Sequence, residues 1–228
     1  MPSENFVKNY VPFELFAFFK DFVGEINLDA PNSFAISPDG SRLIACSCYD
    51  ERQIKVWDIH TQQLLCILEG HSDRVSSVTI TPDGKKIVSS SSDRTIKIWD
   101  LEEVKLLHTL SGHTDEIHAV AIAPDGKKMV SGSGDSTIKI WDLRTRWLLN
   151  TLEGHLNSVR SVAITPDGFK VVSGSSDRTI KIWELNTGKL LHSLEGYAAV
   201  ESVAVTPDGQ NIVSSYADFT MKMCQIPA

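Results

Sequence analysis

Three groups of residues in this chain have the types and spacing to do chemistry together: His71, Ser89, Asp93 and Trp99; His113, Ser131, Asp135 and Trp141; and His155, Ser173, Asp177 and Trp183. Serine, histidine and aspartate are the parts of a hydrolase triad, in which an imidazole activates a hydroxyl nucleophile and a carboxylate orients the imidazole. Two features oppose that reading. A triad needs one serine beside a cleft with oxyanion donors, whereas these sets recur in three copies at a 42-residue spacing. No Gly-x-Ser-x-Gly elbow occurs. Other chemistry is sparse, and no catalytic residue, metal or cofactor is expected. Cys46, Cys48, Cys66 and Cys224 show no C-x-x-C pairing, and His60, His108, His118 and His192 are isolated in sequence. The Gly-Lys of Pro-Asp-Gly-Lys sits in a hairpin signal, not in a phosphate-cradling loop.

The elements that must position these residues are visible in the punctuation of the sequence. Five of the nine prolines and five of the fourteen glycines fall in one tripeptide, Pro-Asp-Gly, beginning at Pro38, Pro82, Pro124, Pro166 and Pro207. Trp57, Trp99, Trp141 and Trp183 keep the same beat, with Cys224 at the fifth position, and Gly-His precedes units two, three and four before decaying to Gly196-Tyr197. A period of about 42 residues with these markers reads as four strands per unit. In the second unit, residues 75–81 form a β-rich run ending at Pro-Asp-Gly, where Pro pre-sets one turn angle and Gly supplies a positive φ. Residues 87–91, 95–99 and 106–110 supply the next three strands. Alternation on the third strand places Lys97, and likewise Lys139 and Lys181, at solvated positions.

Gly-His, Pro-Asp-Gly, Ser-x-Ser-x-Asp and Ile-Lys-Ile-Trp-Asp, recurring together over residues 32–228, resemble the WD-repeat family of β-propellers. The likeness of the middle units to one another is similar to that in the repetitive bacterial, cyanobacterial-type members. The resemblance implies an all-β propeller of five four-stranded antiparallel blades. It also implies that each His, Ser, Asp and Trp set is a buried chain of hydrogen bonds, not a catalytic centre. Ser91, Ser133 and Ser175 share a strand face with Ser89, Ser131 and Ser173, so either serine of each pair is a candidate for the chain.

The ends depart from the pattern. Unit one carries Ala45 where the others have Ser and two extra residues in its 48–52 turn, and the fifth unit stops before a fourth strand. Residues 22–28 have the offset to complete that last blade, closing the ring. The expected organisation is an aromatic-rich N-terminal helix or cap over residues 1–21 and a propeller over residues 22–228. Six of nine phenylalanines lie in the leading segment, whose spacing over residues 12–23 predicts a short helix. An arc completed by another chain, and a truncated larger propeller, compete with closure inside one chain.

The excess of 29 acidic over 22 basic residues gives a net charge of −7, unfavourable for nucleic acid. No run reaches the roughly 18 apolar residues of a membrane span, and no signal peptide is evident, so a cytoplasmic location is expected. The function expected is a noncatalytic scaffold binding a protein or peptide. By the family resemblance, partners would meet the loop face carrying Arg74, Ser76, Glu116, His118, Ser158, Arg160 and Glu201, with turn residues including Tyr49 and Tyr216. The rivals are a propeller fragment that assembles with copies of itself, as a homo-oligomer, and a hydrolase using the channel.

Overall fold

A computed structural model describes residues 31–47 and 52–227. They form five antiparallel sheets, each built from strands consecutive in sequence. Blade one contains β1 (Pro31–Ile36), β2 (Arg42–Ser47), β3 (Gln53–Asp58) and β4 (Leu64–Glu69); blade two contains β5 (Val75–Ile80), β6 (Lys86–Ser91), β7 (Thr95–Asp100) and β8 (Lys105–Ser111). Blade three contains β9 (Ile117–Ile122), β10 (Lys128–Ser133), β11 (Ile138–Asp142) and β12 (Leu148–Leu152). Blade four contains β13 (Val159–Ile164), β14 (Lys170–Ser175), β15 (Thr179–Glu184) and β16 (Leu190–Glu195), and blade five β17 (Val200–Val205), β18 (Asn211–Tyr216) and β19 (Met221–Gln225).

The turns follow from their side chains. In the first turn of blade two, Gly84 takes φ +71° and donates to Thr81 O at 2.8 Å, while the Asp83 carboxylate accepts from Thr81 Oγ1 and Lys85 N. That turn closes the β5–β6 hairpin. In the next, the Asp93 carboxylate accepts from Thr95 N at 2.9 Å and Thr95 Oγ1 at 2.6 Å, fixing the tight β6–β7 connection.

The first strand of each blade packs beside the first strand of the next, and five such strands surround one cavity; this is a five-bladed β-propeller. Both faces of a middle blade are covered. One face of blade two, with Ile87, Trp99 and Leu101, packs on Ile44, Ile54 and Val56 of blade one. Its other face, with Val88, Ile96 and Ile98, packs on Ile117, Met129 and Trp141 of blade three. Hydroxyls of the inner strands stitch neighbouring blades: Val78 N donates to Ser33 Oγ at 3.1 Å, Val203 N to Ser161 Oγ at 3.1 Å, and Ser76 Oγ donates to Ile117 O.

The fifth blade has three described strands, where the other four blades have four. Residues 22–28, expected to supply the fourth, and the helix expected over residues 12–23 lie outside the described residues. The outward face of blade five is open: Met223 is 69% exposed and Met221 44%, where Ile98, Ile140 and Ile182 at the position of Met223 are at most 2% exposed. On blade one, Leu43, Ala45 and Trp57 are buried in a cluster with Phe34 and Ile59 that includes no described residue of another blade.

One correction concerns Lys97, Lys139 and Lys181, which are buried, not solvated. Their ammonium groups donate across the sheet to Thr109 Oγ1, Thr151 Oγ1 and Ser193 Oγ at 2.8–2.9 Å. Alternation along a strand marks solvent only when one sheet face is wet, and here the preceding blade covers it.

Candidate functional site: the buried tetrads and the channel mouth

The three recurring sets are assembled with nearly identical geometry. In blade two, Trp99 Nε1 donates to Ser89 Oγ at 2.8 Å, Ser89 Oγ lies 2.8 Å from His71 Nε2, and His71 Nδ1 lies 2.8 Å from Asp93 Oδ2. Blade three repeats the chain through Trp141, Ser131, His113 and Asp135, and blade four through Trp183, Ser173, His155 and Asp177, all links lying between 2.8 and 2.9 Å. With the carboxylate as acceptor, the proton belongs on Nδ1, and Nε2 then accepts from the serine hydroxyl. Donation runs one way, from indole to hydroxyl to imidazole to carboxylate, leaving no buried donor idle.

The electrostatics follow that arrangement. Burial alone would raise the Asp93 carboxyl; hydrogen bonds from His71, Thr95 and Ser72 outweigh it and hold the group well below the usual carboxylate range. Asp135 is lowered against its burial by His113, Thr137 and Thr114, and Asp177 is lowered to about 2 by Thr179, Leu156 N and His155. Burial also depresses His155 below its ordinary value, against the opposing pull of Asp177.

The Ser, His and Asp links have the connectivity of a hydrolase triad, but Ser89, Ser131 and Ser173 are wholly buried and each Oγ already accepts an indole N–H. Substrate has no route to these three hydroxyls. The other serine of each pair braces the turn, as in blade two, where Ser91 Oγ donates to Asp73 O at 3.0 Å and accepts from Asp93 N at 3.0 Å.

Blades one and five improvise. Ala45 stands where the tetrad serine would be, and among the described residues Trp57 Nε1 has no hydrogen-bond partner although Trp57 is 2% exposed. In blade five, Ser214 takes the serine position and donates to the Tyr216 hydroxyl at 3.1 Å. Tyr216, expected among exposed turn residues, ends β18 and is buried in the interface with blade four, because its ring fills space left by the absent histidine and tryptophan. The signal for that substitution in the sequence is slight, a tyrosine two positions from the motif serine.

The expected partner face divides into three groups. Ser76, His118, Arg160 and Glu201, from four different blades, line one cavity of about 190 Å³ at the channel. Ser33 and Phe34 of β1 complete it, although no repeat marker of unit one singles them out; Tyr49, expected at this face, lies outside the described residues. Arg74, Glu116 and Ser158 stand beside the cavity without lining it, and Glu116 accepts from Ser92 Oγ across the boundary between blades two and three. Arg160 Nε donates to Ser176 Oγ at 3.0 Å, which places its guanidinium against the neighbouring turn. Desolvation, reinforced by Arg160, lowers the His118 imidazole, so it offers a neutral donor and acceptor to the channel. Ser76, by contrast, is buried and committed to Ser90 and Ile117.

Repeated blades around a shared central channel, three of them with a buried indole-to-carboxylate chain, define a repeat propeller. The WD domain, G-beta repeat (WD40) matches five times, at residues 25–58, 62–100, 104–142, 146–184 and 188–224, and the chain belongs to that family. The last four matches each run from the outer strand of one blade into three strands of the next, and the first begins at residue 25, ahead of residue 32 where the motif resemblance begins. The chain is also similar to Protein groucho of Drosophila melanogaster, 35% identical over 71 residues, which is 30% of this chain and 10% of that protein. Members of the family generally serve as noncatalytic scaffolds for protein interaction.

Proposed function

We propose that this protein is a noncatalytic scaffold that binds a peptide segment of a protein partner at the channel mouth. The observation that carries the reading is the convergence of His118, Arg160 and Glu201 from three blades on one cavity, with Arg74 and Glu116 at its margin. A neutral imidazole, a guanidinium and a carboxylate on rigid strand ends suit a polar segment of mixed charge, since binding residues act best when a scaffold pre-orders them. The mixed signs, and a net charge of −7, argue against a nucleic-acid partner. The absence of a helix long and apolar enough to cross a membrane among the described residues is compatible with the cytoplasmic location we assign. Affinity capture from the source cell with wild-type protein and with a His118→Ala, Arg160→Ala, Glu201→Ala variant tests the face. Loss of a partner at unchanged melting temperature supports it, and undiminished recovery removes it.

A second reading, association of one copy with another, is favoured by the open apolar face of Met221 and Met223 on blade five. Light scattering across a concentration series distinguishes it: a constant monomer mass eliminates self-assembly.

A further inference from the structure

Near-identical repeats make each blade a control for the others, and the boundary between blades two and three fails to match its counterparts. On the side of the Pro-Asp-Gly turns, away from the channel-mouth loops, it holds a cavity of about 540 Å³, within the range of small-ligand sites. Four cations line it, Lys86, Lys127, Arg144 and Arg146, against two carboxylates, Asp83 and Asp125. Asp83 is already held by Thr81 and Lys85 N, and Asp125 by Lys127. Among the described residues, neither Lys86, Arg144 nor Arg146 has a carboxylate within ion-pair distance. Arg146 instead donates through Nη1 to His108 Nε2 at 2.9 Å, a contact between the blades that requires an imidazole nitrogen free of its proton. Desolvation and the charges of Arg146 and Lys86 lower His108 accordingly. Four cations against two lining carboxylates leave the cavity locally positive on a chain of net charge −7.

One repeat further on, the same framework keeps Lys128 at the position of Lys86 but has lost the other three cations and is filled. Asn150, Phe169, Asn186 and Gly188 replace His108, Lys127, Arg144 and Arg146. There Asn150 Nδ2 donates to Thr187 O at 2.9 Å and Lys128 Nζ to Asn186 Oδ1 at 2.6 Å. A Cβ added at Gly188 would meet Asn150 Nδ2 at 2.2 Å, so an arginine has no room in that turn. Since a version with one of the four cations serves blade packing between blades three and four, the other three between blades two and three are not required by the fold.

We propose that the groove between blades two and three binds a phosphate monoester carrying an apolar body, with Arg144, Arg146, Lys86 and Lys127 on the dianion and Ile98, Leu107 and Leu143 against the body. Two guanidiniums present paired donors to tetrahedral oxyanions, and two ammoniums supply the remaining charge. A carboxylate would use half that charge, and a polyanion would meet the acidic remainder of the surface.

Calorimetric titration of the whole protein with phenyl phosphate tests the site, with phenol as the uncharged comparison. Saturable binding is expected, accompanied by a shift of the His108 imidazole resonances and weakened at least tenfold in Arg144→Gln, Arg146→Gln. Lys128→Gln, in the neighbouring groove, is expected to bind as wild type. No saturable binding, equal binding of phenol, or undiminished binding by the double variant at unchanged melting temperature overturns the proposal. Flotation with vesicles containing phosphatidic acid or only phosphatidylcholine then identifies the source of the ester: recovery with phosphatidic acid, lost in the double variant, points to a lipid headgroup, and no recovery beside intact phenyl phosphate binding points to a soluble ester.

Discussion

At the scale of the residue, the tetrads convert one amino acid's need into another's satisfaction. Removing one member therefore strands a partner. Asp135 accepts from His113 Nδ1, Thr114 N, Thr137 N and Thr137 Oγ1, so Asp135→Ala is expected to cost about 1–3 kcal/mol in urea denaturation. A curve superimposable on wild type would refute the structural role. The reverse experiment lies in blade one, where Ala45→Ser offers the Trp57 indole an acceptor and should stabilise by about 0.5–1.5 kcal/mol. Acid should act in two steps. His155 sits below its ordinary 6.5, so the unfolded chain takes up that proton first and stability starts to fall as the pH drops below 6.5. Asp177, lowered from 3.8 to about 2, contributes fully above 3.8, and that contribution disappears as the pH falls toward 2. Urea midpoints measured from pH 7 to pH 2 should show both declines, and Asp177→Asn should flatten the lower one.

At the scale of the element, the blades meet with little slack. A Cβ on Gly174 would come within 2.5 Å of Val200 Cγ1, and one on Gly132 within 2.7 Å of Val159 Cγ1. Gly174→Ala is expected to destabilise by roughly 1–3 kcal/mol through overpacking, despite the better strand propensity of alanine, and thermal melting checks it. Hydrogen exchange should be fastest in β17–β19, where a tetrad is missing and a face is open. The strands and turns were legible in sequence because Pro-Asp-Gly and Ser-x-Ser-x-Asp fix local geometry through their own side chains. The buried ammoniums of Lys97, Lys139 and Lys181 were not, because alternation reports two faces but not what covers each. Nor was the buried Tyr216, whose environment is supplied by blade four. The channel cavity was partly legible: the family resemblance pointed to His118, Arg160 and Glu201 at equivalent positions of their units, whereas Ser33 and Phe34 entered only when the first strand was placed in space.

At the scale of the whole molecule, the propeller is asymmetric at its two ends. Blade five presents methionines where its predecessors bury isoleucine, and blade one buries Trp57 without a described neighbour blade. Removing residues 1–31 is expected to lower the melting temperature and red-shift the emission of Trp57, provided that this segment supplies the missing contacts. Unchanged cooperative melting would assign closure elsewhere. The two faces of the propeller also carry different charge, a mixed set at the channel mouth and an excess of cations over carboxylates in the groove between blades two and three.

The tetrads bear as well on how the chain comes to be folded. No link in the blade-two chain spans more than 22 residues, and the stitches between neighbouring blades span 41 to 45. Contacts this local favour fast assembly, because little chain must be immobilised before they form. During synthesis, at roughly 5–20 residues per second, successive blades would emerge every few seconds. Blades two, three and four each have their own hydrogen-bond chain to close and a predecessor to dock against. Growth from the ribosome thus matches the order in which the interfaces between blades mature.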